Sequence, residues 1–295
     1  MKNYFIILLT SISFFAVGQI QQNINKNSDT LSNLLTNIDS IRLNGSSKNM
    51  EVVLQNGTVE SHSISDIINV NFSSESQHSC GAESVHNPNL SYGSMTDQQG
   101  NVYKTIVIET GAIDQEWMAE NLKTSIYRNG DAIGNDTSIQ WAYLTTGAYC
   151  YYNNDIQYEC PYGKLYNGYA VFDPRNVCPA GWHVPTDAEW STLTNSIGGP
   201  TVAGGKMKSF GTQYWQSPNG GADVYSSCGF SGLPGGNLTL PGMVFNSNGR
   251  YGNWWTSTAV GSQTARYRSL GYSHTLCNSA TGGRVDGLSV RCLKD

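Results

Sequence analysis

Apolar residues recur at helical spacing in one part of the chain. Trp190, Leu193 and Ile197 lie three and four residues apart, and a helix would place them in a single stripe that faces a core. Gly198 and Gly199 follow at once, and glycine accepts the backbone conformation at which helices end. The pattern therefore predicts a short helix that packs one side against the rest of the domain.

The start of this helix is marked by the spacing of a capping box. Thr186 can accept a hydrogen bond from the first turn, and Glu189, three residues on, can return one to the capping residue. Pro185 keeps the preceding residue extended, so the helix cannot begin earlier. The sequence thus predicts Thr186 as the N-cap.

Short β-branched or alternating runs predict strands over the C-terminal two thirds of the chain. Two further helices are predicted, over residues 162–172 and 202–209. Residues 210–252 are rich in Gly, Asn and Ser and predict a long loop. Few helices beside a mostly antiparallel sheet define an α+β domain. The predicted strands are residues 101–108, 254–259, 265–270 and 288–293.

Residues ahead of this domain predict a small β unit. Asn56-Gly57 separates two alternating runs, residues 50–54 and 58–62, and this dipeptide between such runs is a strong hairpin signal. Residues 19–37 are polar and predict a leader, helical or flexible. The predicted organisation is residues 1–18 as a signal peptide, 19–72 as the β unit with its leader, 73–94 as a linker and 95–295 as the main domain.

The first 18 residues have the composition of an export signal. Lys2 is basic, an apolar run follows, and the small residues Ala16 and Gly18 suit a cleavage site. That run is too short to span a bilayer, and no later stretch is long enough. We expect a protein without a membrane span that is secreted, periplasmic or on the outer cell surface, where disulfides form.

All seven cysteines follow residue 79. Six of them allow fifteen pairings, and the sequence alone does not select one. Position in the chain favours three disulfide pairs and assigns no partner to Cys80. Structural zinc is disfavoured because no two cysteines have Cys-x₂-Cys spacing. The disulfide candidates are Cys178 with Cys292, Cys150 with Cys160, and Cys228 with Cys277.

Six short motifs occur over the chain from about residue 80 to its end. They are residues 97–103 (DQQGNVY), 117–124 (WMAENLKT), 162–170 (YGKLYNGYA), 178–190 (CPAGWHVPTDAEW), 254–258 (WWTST) and 289–293 (SVRCL). In content and order they resemble the Fibrobacter succinogenes major paralogous domain, a family of secreted bacterial proteins. The resemblance implies a fold similar to the C-type lectin and sulfatase-modifying-factor group, and it implies no particular activity.

Composition and motif content exclude several classes of function. Charged residues make up 13% of the chain, the net charge is −5, and Lys and Arg do not cluster, so no nucleic-acid partner is expected. No G-x-S-x-G or H-E-x-x-H motif is present. Calcium-dependent sugar binding of the C-type lectin kind is not expected. It needs carboxylate ligands for the ion, and the loop in the corresponding place contains Ser217, Pro218 and Asn219 instead. We predict no catalytic residue, no cofactor and no metal site.

Carboxylates are the remaining candidates for hydrolytic chemistry, because glycosidases use a pair about 5–10 Å apart. Two of the candidates stand at the predicted helix N-terminus, where acids are favoured for structural reasons. Two carboxylates that converge in a cleft, or a His beside a Ser or Cys, would indicate an enzyme. The candidate residues are Asp114, Glu116, Glu120, Asp187 and Glu189.

The predicted loop over residues 210–252 is the expected place for ligand contacts, because binding residues concentrate in loops on a rigid scaffold. Its rings either pack inward or face out as a stacking surface. We expect a non-enzymatic, disulfide-stabilised binding or cell-surface protein with glycan or protein ligands. The alternative is a secreted carbohydrate-active enzyme or another hydrolase. The predicted ligand-binding residues are Tyr214, Trp215, Tyr225 and Tyr251.

Overall fold

The computed structural model describes residues 85–111, 113–209, 211, 213–220 and 227–295 in full, and the backbone of six strands between residues 20 and 74. The chain divides into two compact units, Met1–His78 and Ser79–Asp295. The predicted signal peptide lies outside the described residues.

The first unit contains two small antiparallel sheets. One has the strand order β2-β1-β6 and the other β3-β4-β5. The hairpin predicted around Asn56-Gly57 is present, with Met50 opposite His62. Two strands also lie within the segment predicted as a leader. The strands are β1 (Ile20–Lys26), β2 (Thr30–Leu34), β3 (Ile38–Asn44), β4 (Asn49–Leu54), β5 (Val59–Ser63) and β6 (Ile67–Ser74).

The second unit is α+β and mostly sheet, with few and short helices in the part that the structure describes. Its strands are β7 (Gly93–Thr96), β8 (Val102–Ile108), β9 (Gln115–Met118), β10 (Gly134–Asn135), β11 (Ala148–Cys150), β12 (Leu165–Asn167), β13 (Trp182–His183), β14 (Gly235–Thr239), β15 (Val244–Asn248), β16 (Tyr251–Ala259), β17 (Thr264–Gly271), β18 (Cys277–Gly283), β19 (Gly287–Leu288) and β20 (Leu293–Lys294). The helices are α1 (Glu159–Tyr162), α2 (Gly168–Val171), α3 (Asp187–Ser196) and α4 (Pro200–Met207), with 3₁₀ turns at Ile139–Tyr143, Tyr152–Asn154 and Ile156–Tyr158.

These strands form two sheets. A nine-stranded sheet has the order β10-β11-β12-β19-β14-β16-β17-β18, with β15 paired to β14. A five-stranded sheet has the order β13-β20-β9-β8-β7. The strand predicted over residues 288–293 is two short pieces, one in each sheet. Its end, β20, places Leu293 opposite Trp117 in β9, so the last strand closes the sheet that the first strands of the unit begin.

A cluster of aromatic rings joins the two sheets to the helix α3. Trp190 of α3 lies 4.9 Å from Trp117 of β9 and 5.3 Å from Phe230, between ring centroids. Trp254 of β16 lies 5.7 Å from Phe230. All four rings are fully buried. Three of the four rings, Trp117, Trp190 and Trp254, come from the sequence motifs, so the motifs supply most of this cluster.

The motif residue Arg291 completes this cluster as a buried cation. Its guanidinium lies 4.2 Å from the centroid of Phe230 and donates to Asn121 Oδ1 at 2.8 Å and to the carbonyl of Ser231 at 2.9 Å. Burial lowers the pKa of Arg291 to about 9. A buried charge is tolerated only with such partners. The hydrogen bonds also connect Arg291, two residues before β20, to the loop at Phe230 and Ser231.

The helix predicted after Thr186 is confirmed. The α3 helix begins at Asp187, and both hydrogen bonds of the capping box are made between Thr186 and Glu189. Trp190 and Leu193 are buried, and Ile197 packs against the same core. The apolar stripe faces inward, as its spacing predicts.

The predicted disulfide between Cys178 and Cys292 is confirmed, with 6.0 Å between the two Cα atoms. It ties the segment before α3 to the residue before β20, across 114 positions of sequence. Both cysteines are fully buried in the core. The bond therefore fixes the end of the chain to the helix that the motif predicts.

The other two predicted cysteine pairs are wrong. Cys150, Cys228 and Cys277 are free thiols, whereas Cys160 is disulfide-bonded and not to Cys150. Cys150 lies in β11 with its side chain in the core, whereas Cys160 lies in the half-buried turn of α1. Burial raises the pKa of all three free thiols, to about 11 for Cys228 and about 12 for Cys277.

Two secondary-structure predictions are corrected by tertiary contacts. Residues 162–172 form the strand β12 followed by the single turn α2, because Asn167 caps a new helix by accepting from the Ala170 N–H. The long loop predicted over residues 210–252 contains the hairpin of β14 and β15. In addition, Val85 and His86, which fall in the predicted linker, are buried in the second unit.

Candidate functional site

Five aromatic rings form a continuous row beside the β14–β15 hairpin, which we name the aromatic ridge. The rings of Tyr152 and Tyr158 are 5.1 Å apart, and Tyr158 stacks on Tyr162 at 6.2 Å with an interplanar angle of 27°. Tyr214 extends the row 6.0 Å beyond Tyr162. Phe245 extends it in the other direction, 5.5 Å from Tyr152.

The rings of the ridge are partly open to solvent. Tyr152 is buried at 9% exposure and anchors the row, whereas the other four rings are half-buried. A half-buried ring packs one face against the protein and leaves an edge or a face for a ligand. The ridge is therefore anchored from below and accessible from outside.

Glycines allow the hairpin to approach the anchoring ring. Gly236 of β14 has φ +70°, and a Cβ there would lie 2.8 Å from Cε2 of Tyr152 and 2.4 Å from the carbonyl oxygen of Asn246. A side chain at this position would clash and would also be strained at that φ. The local sequence thus selects glycine where ring and strand meet.

Asparagine holds the tyrosine hydroxyls in place. The side chain of Asn248 hydrogen-bonds Tyr162, and its backbone hydrogen-bonds Tyr152. Burial raises the pKa of Tyr162 to about 12, and the bond to Asn248 opposes that rise. Both hydroxyls therefore stay protonated through the neutral range and remain hydrogen-bond donors.

Amide side chains surround the ridge. Asn246 donates to Thr239 Oγ1 at 3.0 Å and accepts from Ser247 at 2.8 Å, and both asparagines of β15 are half-exposed. Asn153 and Asn154 are exposed beside Tyr152. Amides donate and accept hydrogen bonds without charge. Rings flanked by neutral donors and acceptors suit a ligand with apolar faces and hydroxyl edges.

The predicted ligand-binding residues have different environments. Tyr214 lies in the aromatic ridge. Tyr251 belongs to a second group, with Tyr272 at 6.5 Å and His274 at 6.4 Å. Trp215 takes the inward alternative: it is 3% exposed, and its indole N–H donates to the carbonyl of Gly232 at 3.1 Å. Tyr225 lies outside the described residues.

The sequence prediction missed three rings of the ridge, since it named Tyr214 and the predicted ligand-contact loop over residues 210–252 includes Phe245. The missed rings, Tyr152, Tyr158 and Tyr162, lie in a tyrosine-rich stretch more than fifty residues before Tyr214. Only the tertiary fold, with the hairpin of β14 and β15, brings this stretch beside Phe245. The density of tyrosines between residues 149 and 162 was the available signal.

The candidate carboxylates mostly serve the fold. Asp187 accepts from Arg268 Nε at 2.8 Å, and Glu189 closes the capping box. Glu116 pairs with Lys294 at 2.6 Å. Burial alone would raise the pKa of Glu120, but contacts with His86 and the Lys104 N–H lower it. Asp114 lines an open cavity together with Glu109.

One histidine does stand beside a serine. His86 Nδ1 lies 3.1 Å from Ser231 Oγ, and His86 Nε2 lies 3.6 Å from a carboxylate oxygen of Glu120. Ser231 has φ +54°, an unusual conformation for a residue with a side chain. Ser231 is 0% exposed and His86 is 4% exposed, so the serine and the histidine are buried, whereas the Glu120 side chain is 20% exposed.

In the described part of the chain, no group of three or more His, Cys, Asp or Glu side chains is placed to hold a metal ion. No helix in that part has the length and apolar character of a membrane span.

Comparison with known proteins identifies one family. The model of the Fibrobacter succinogenes major domain matches residues 112–294 of the chain. No curated protein and no solved structure matches it.

Proposed function

We propose that this chain, which belongs to the Fibrobacter succinogenes major domain family, is an exported binding or cell-surface protein that recognises glycans on its aromatic ridge. The observation that carries the proposal is the row of five rings, of which Tyr158, Tyr162 and Tyr214 are half-exposed and flanked by neutral amides. Sugar rings present apolar C–H faces and hydroxyl edges, which match this combination of groups.

Export is part of the proposal and is supported by the disulfide between Cys178 and Cys292. Disulfides persist in secreted and periplasmic compartments and are rare inside cells. The first residues add the composition of a cleavable signal. We further propose a C-type-lectin-like fold, supported by the mostly antiparallel sheets and by the link between the helix segment and the terminal strand.

A non-enzymatic role is supported by the state of the titratable side chains. Four of the five candidate carboxylates are engaged by Arg268, Thr186, Lys294 and the pair of His86 and Lys123. A general acid or base must reach the substrate proton within hydrogen-bond distance. Groups held in structural contacts are poorly placed for that task, whereas stacking on half-exposed rings needs no titratable group.

A glycan array probed with the full chain tests the proposal. Tyr158→Leu and Tyr214→Leu keep apolar packing but remove a stacking face, so each is expected to weaken the retained glycan about fivefold, the equivalent of about 1 kcal/mol. Tyr143→Leu is the matched control, since this ring is 77% exposed and lies outside the ridge. Binding that survives both ridge variants, or no glycan retained at all, would refute the proposal.

A hydrolase is the second candidate, favoured by the contact of Ser231, His86 and Glu120. The burial of Ser231 argues against a hydrolase, because a serine nucleophile must contact its substrate. A fluorophosphonate probe reacts with activated serines, and we expect no labelling of Ser231 in the native chain. Labelling of Ser231 that disappears in His86→Ala would support the hydrolase instead.

A further inference from the structure

We propose that the free edge of β8 is a docking site for an extended segment of a partner protein, which adds a short strand to the five-stranded sheet. The site shares no residue with the aromatic ridge and does not depend on the function proposed for it. It exists because β7 pairs with β8 only up to Thr105, opposite Gly93, whereas β8 continues to Ile108.

The backbone of Val107 faces this free edge. The carbonyl of Lys104 accepts from the Ala119 N–H at 2.8 Å, on the β9 side, and the carbonyl of Asn101 accepts from the Asp97 N–H at 2.9 Å, on the β7 side. Backbone groups alternate in direction along a strand, so Val107 directs its N–H and C=O to the β7 side. Neither group has a hydrogen-bond partner among the residues that the structure describes.

An unpaired strand edge is a template for another strand. Proteins usually cover such edges or place charges on them, but Val107 leaves an aliphatic side chain 57% exposed. One open N–H and one open C=O on the same residue match the C=O and N–H of a single residue on an antiparallel partner. A polypeptide in extended conformation presents these groups at the correct spacing, which identifies the occupant as a peptide segment.

A cavity beside the edge gives the incoming strand a place for a side chain. Its volume is about 380 Å³, and its lining combines the aliphatic residues Leu90, Ile106, Ile108 and Ile197, next to Val107, with polar ones that include Glu109 and Lys206. Alternate residues of an added strand point to the same face of the sheet. Every second residue of the partner therefore points toward this lining, which favours an aliphatic side chain there.

Two carboxylates at the far end of the edge determine the charge that the partner segment should carry. A second cavity of about 450 Å³ shares Glu109 and Ser196 with the first and adds Asp114. Neither of these two carboxylates has an ion-pair partner in the described part of the chain. Lys206 lines the first cavity but not the second. A basic residue of the partner is therefore favoured at the second cavity, flanking the aliphatic one. A second copy of this chain is disfavoured, because each copy would bring the same acidic groups to the contact.

The test uses the ¹⁵N-labelled full chain and the capped peptide acetyl-Lys-Val-Thr-Val-Lys-amide. We expect the Val107 and Glu109 amide resonances to shift, with a dissociation constant on the order of 1 mM. Hydrogen exchange of the Val107 N–H is expected to slow when the peptide is bound. The same peptide with N-methylated amides lacks backbone donors and is expected to bind at least about tenfold more weakly.

Two variants separate the edge from the side chain. Val107→Pro removes the edge N–H without removing a bond of the sheet and is expected to abolish the shifts, whereas Val107→Thr keeps the N–H and is expected to retain them. If Val107→Pro does not fold, the N-methylated peptide decides alone. The proposal is overturned by unshifted resonances at millimolar peptide, by equal binding of the N-methylated peptide, or by self-association of the free chain through this edge.

Discussion

At the scale of single residues, Lys208 is a cation held inside the fold by carbonyl groups. Its ammonium donates to the carbonyls of Gly220 at 2.7 Å and His274 at 3.1 Å, and it lies 5.1 Å from the ring centroid of Trp215. The residue is 0% exposed, and burial lowers the pKa of its amine to about 8. The loop around Trp215 is thus fastened by a group that titrates in a mildly basic range.

This pKa predicts how stability responds to pH. Between about pH 8 and the ordinary lysine value near 10.4, the unfolded chain binds a proton at Lys208 that the folded chain has released. Stability therefore rises with pH across this window, since the unfolded state binds more protons. We expect the free energy of unfolding of the native chain, relative to Lys208→Met, to increase from pH 8 to pH 10.

Urea unfolding of both proteins at each pH measures this difference. Tyrosines with raised pKa values lower the stability of the fold as the pH rises. Both proteins contain the same tyrosines, so this contribution cancels in the difference between them. A difference that stays flat or falls between pH 8 and pH 10 would show that Lys208 keeps its proton in the folded state.

At the scale of elements, the start of α3 is a capping box that also meets a histidine. Thr186 Oγ1 accepts from the Glu189 N–H, and the Glu189 carboxylate accepts from the Thr186 N–H at 2.7 Å. The other oxygen of that carboxylate lies 3.0 Å from His183 Nε2. One glutamate therefore connects the cap of the helix to the strand β13.

Removal of the cap is expected to destabilise the domain modestly. Thr186→Ala leaves the first-turn N–H groups without their acceptor, and loss of such a cap costs about 1 kcal/mol. Thr192→Ala is the matched control, because Thr192 lies exposed in the same helix. Chemical denaturation that finds equal midpoints for the two variants would show that the capping box contributes nothing.

At the scale of the whole molecule, the bond between Cys178 and Cys292 closes just over half of the second unit into one loop. The loop includes α3, α4 and the strands from β13 to β19. In the chain-entropy model, a crosslink of this length removes the most extended unfolded conformations, which stabilises the fold by about 4–5 kcal/mol.

The double variant Cys178→Ser with Cys292→Ser is expected to lose most of that amount. Thermal unfolding of the variant and of the native chain measures the loss, and the native chain with a reductant serves as a second comparison. Cys150→Ser controls for the removal of a buried thiol that forms no disulfide. A melting temperature of the double variant equal to that of the control would contradict the stabilising role.

Local signals in the sequence determined the elements whose chemistry is local. The capping box at Thr186 and Glu189 and the Asn56-Gly57 hairpin are set by residues close in the chain, so spacing was sufficient to predict them. The six motifs determined the family, and four of their residues, Trp117, Trp190, Trp254 and Arg291, meet in one part of the core. The α+β class followed from the same patterns.

Tertiary structure decided what depends on contacts between distant residues. Tyr214 and Trp215 are adjacent in sequence, yet Tyr214 joins the aromatic ridge whereas Trp215 is buried. The Trp215 indole N–H donates to the Gly232 carbonyl, and the Lys208 ammonium lies over its ring. The pairing of the cysteines and the turn from β12 into α2 also depended on which strands became neighbours. Among the described residues, β8 keeps a free edge because β7 pairs with it only as far as Thr105. Strand register is a property of the sheet that no single stretch of sequence contains.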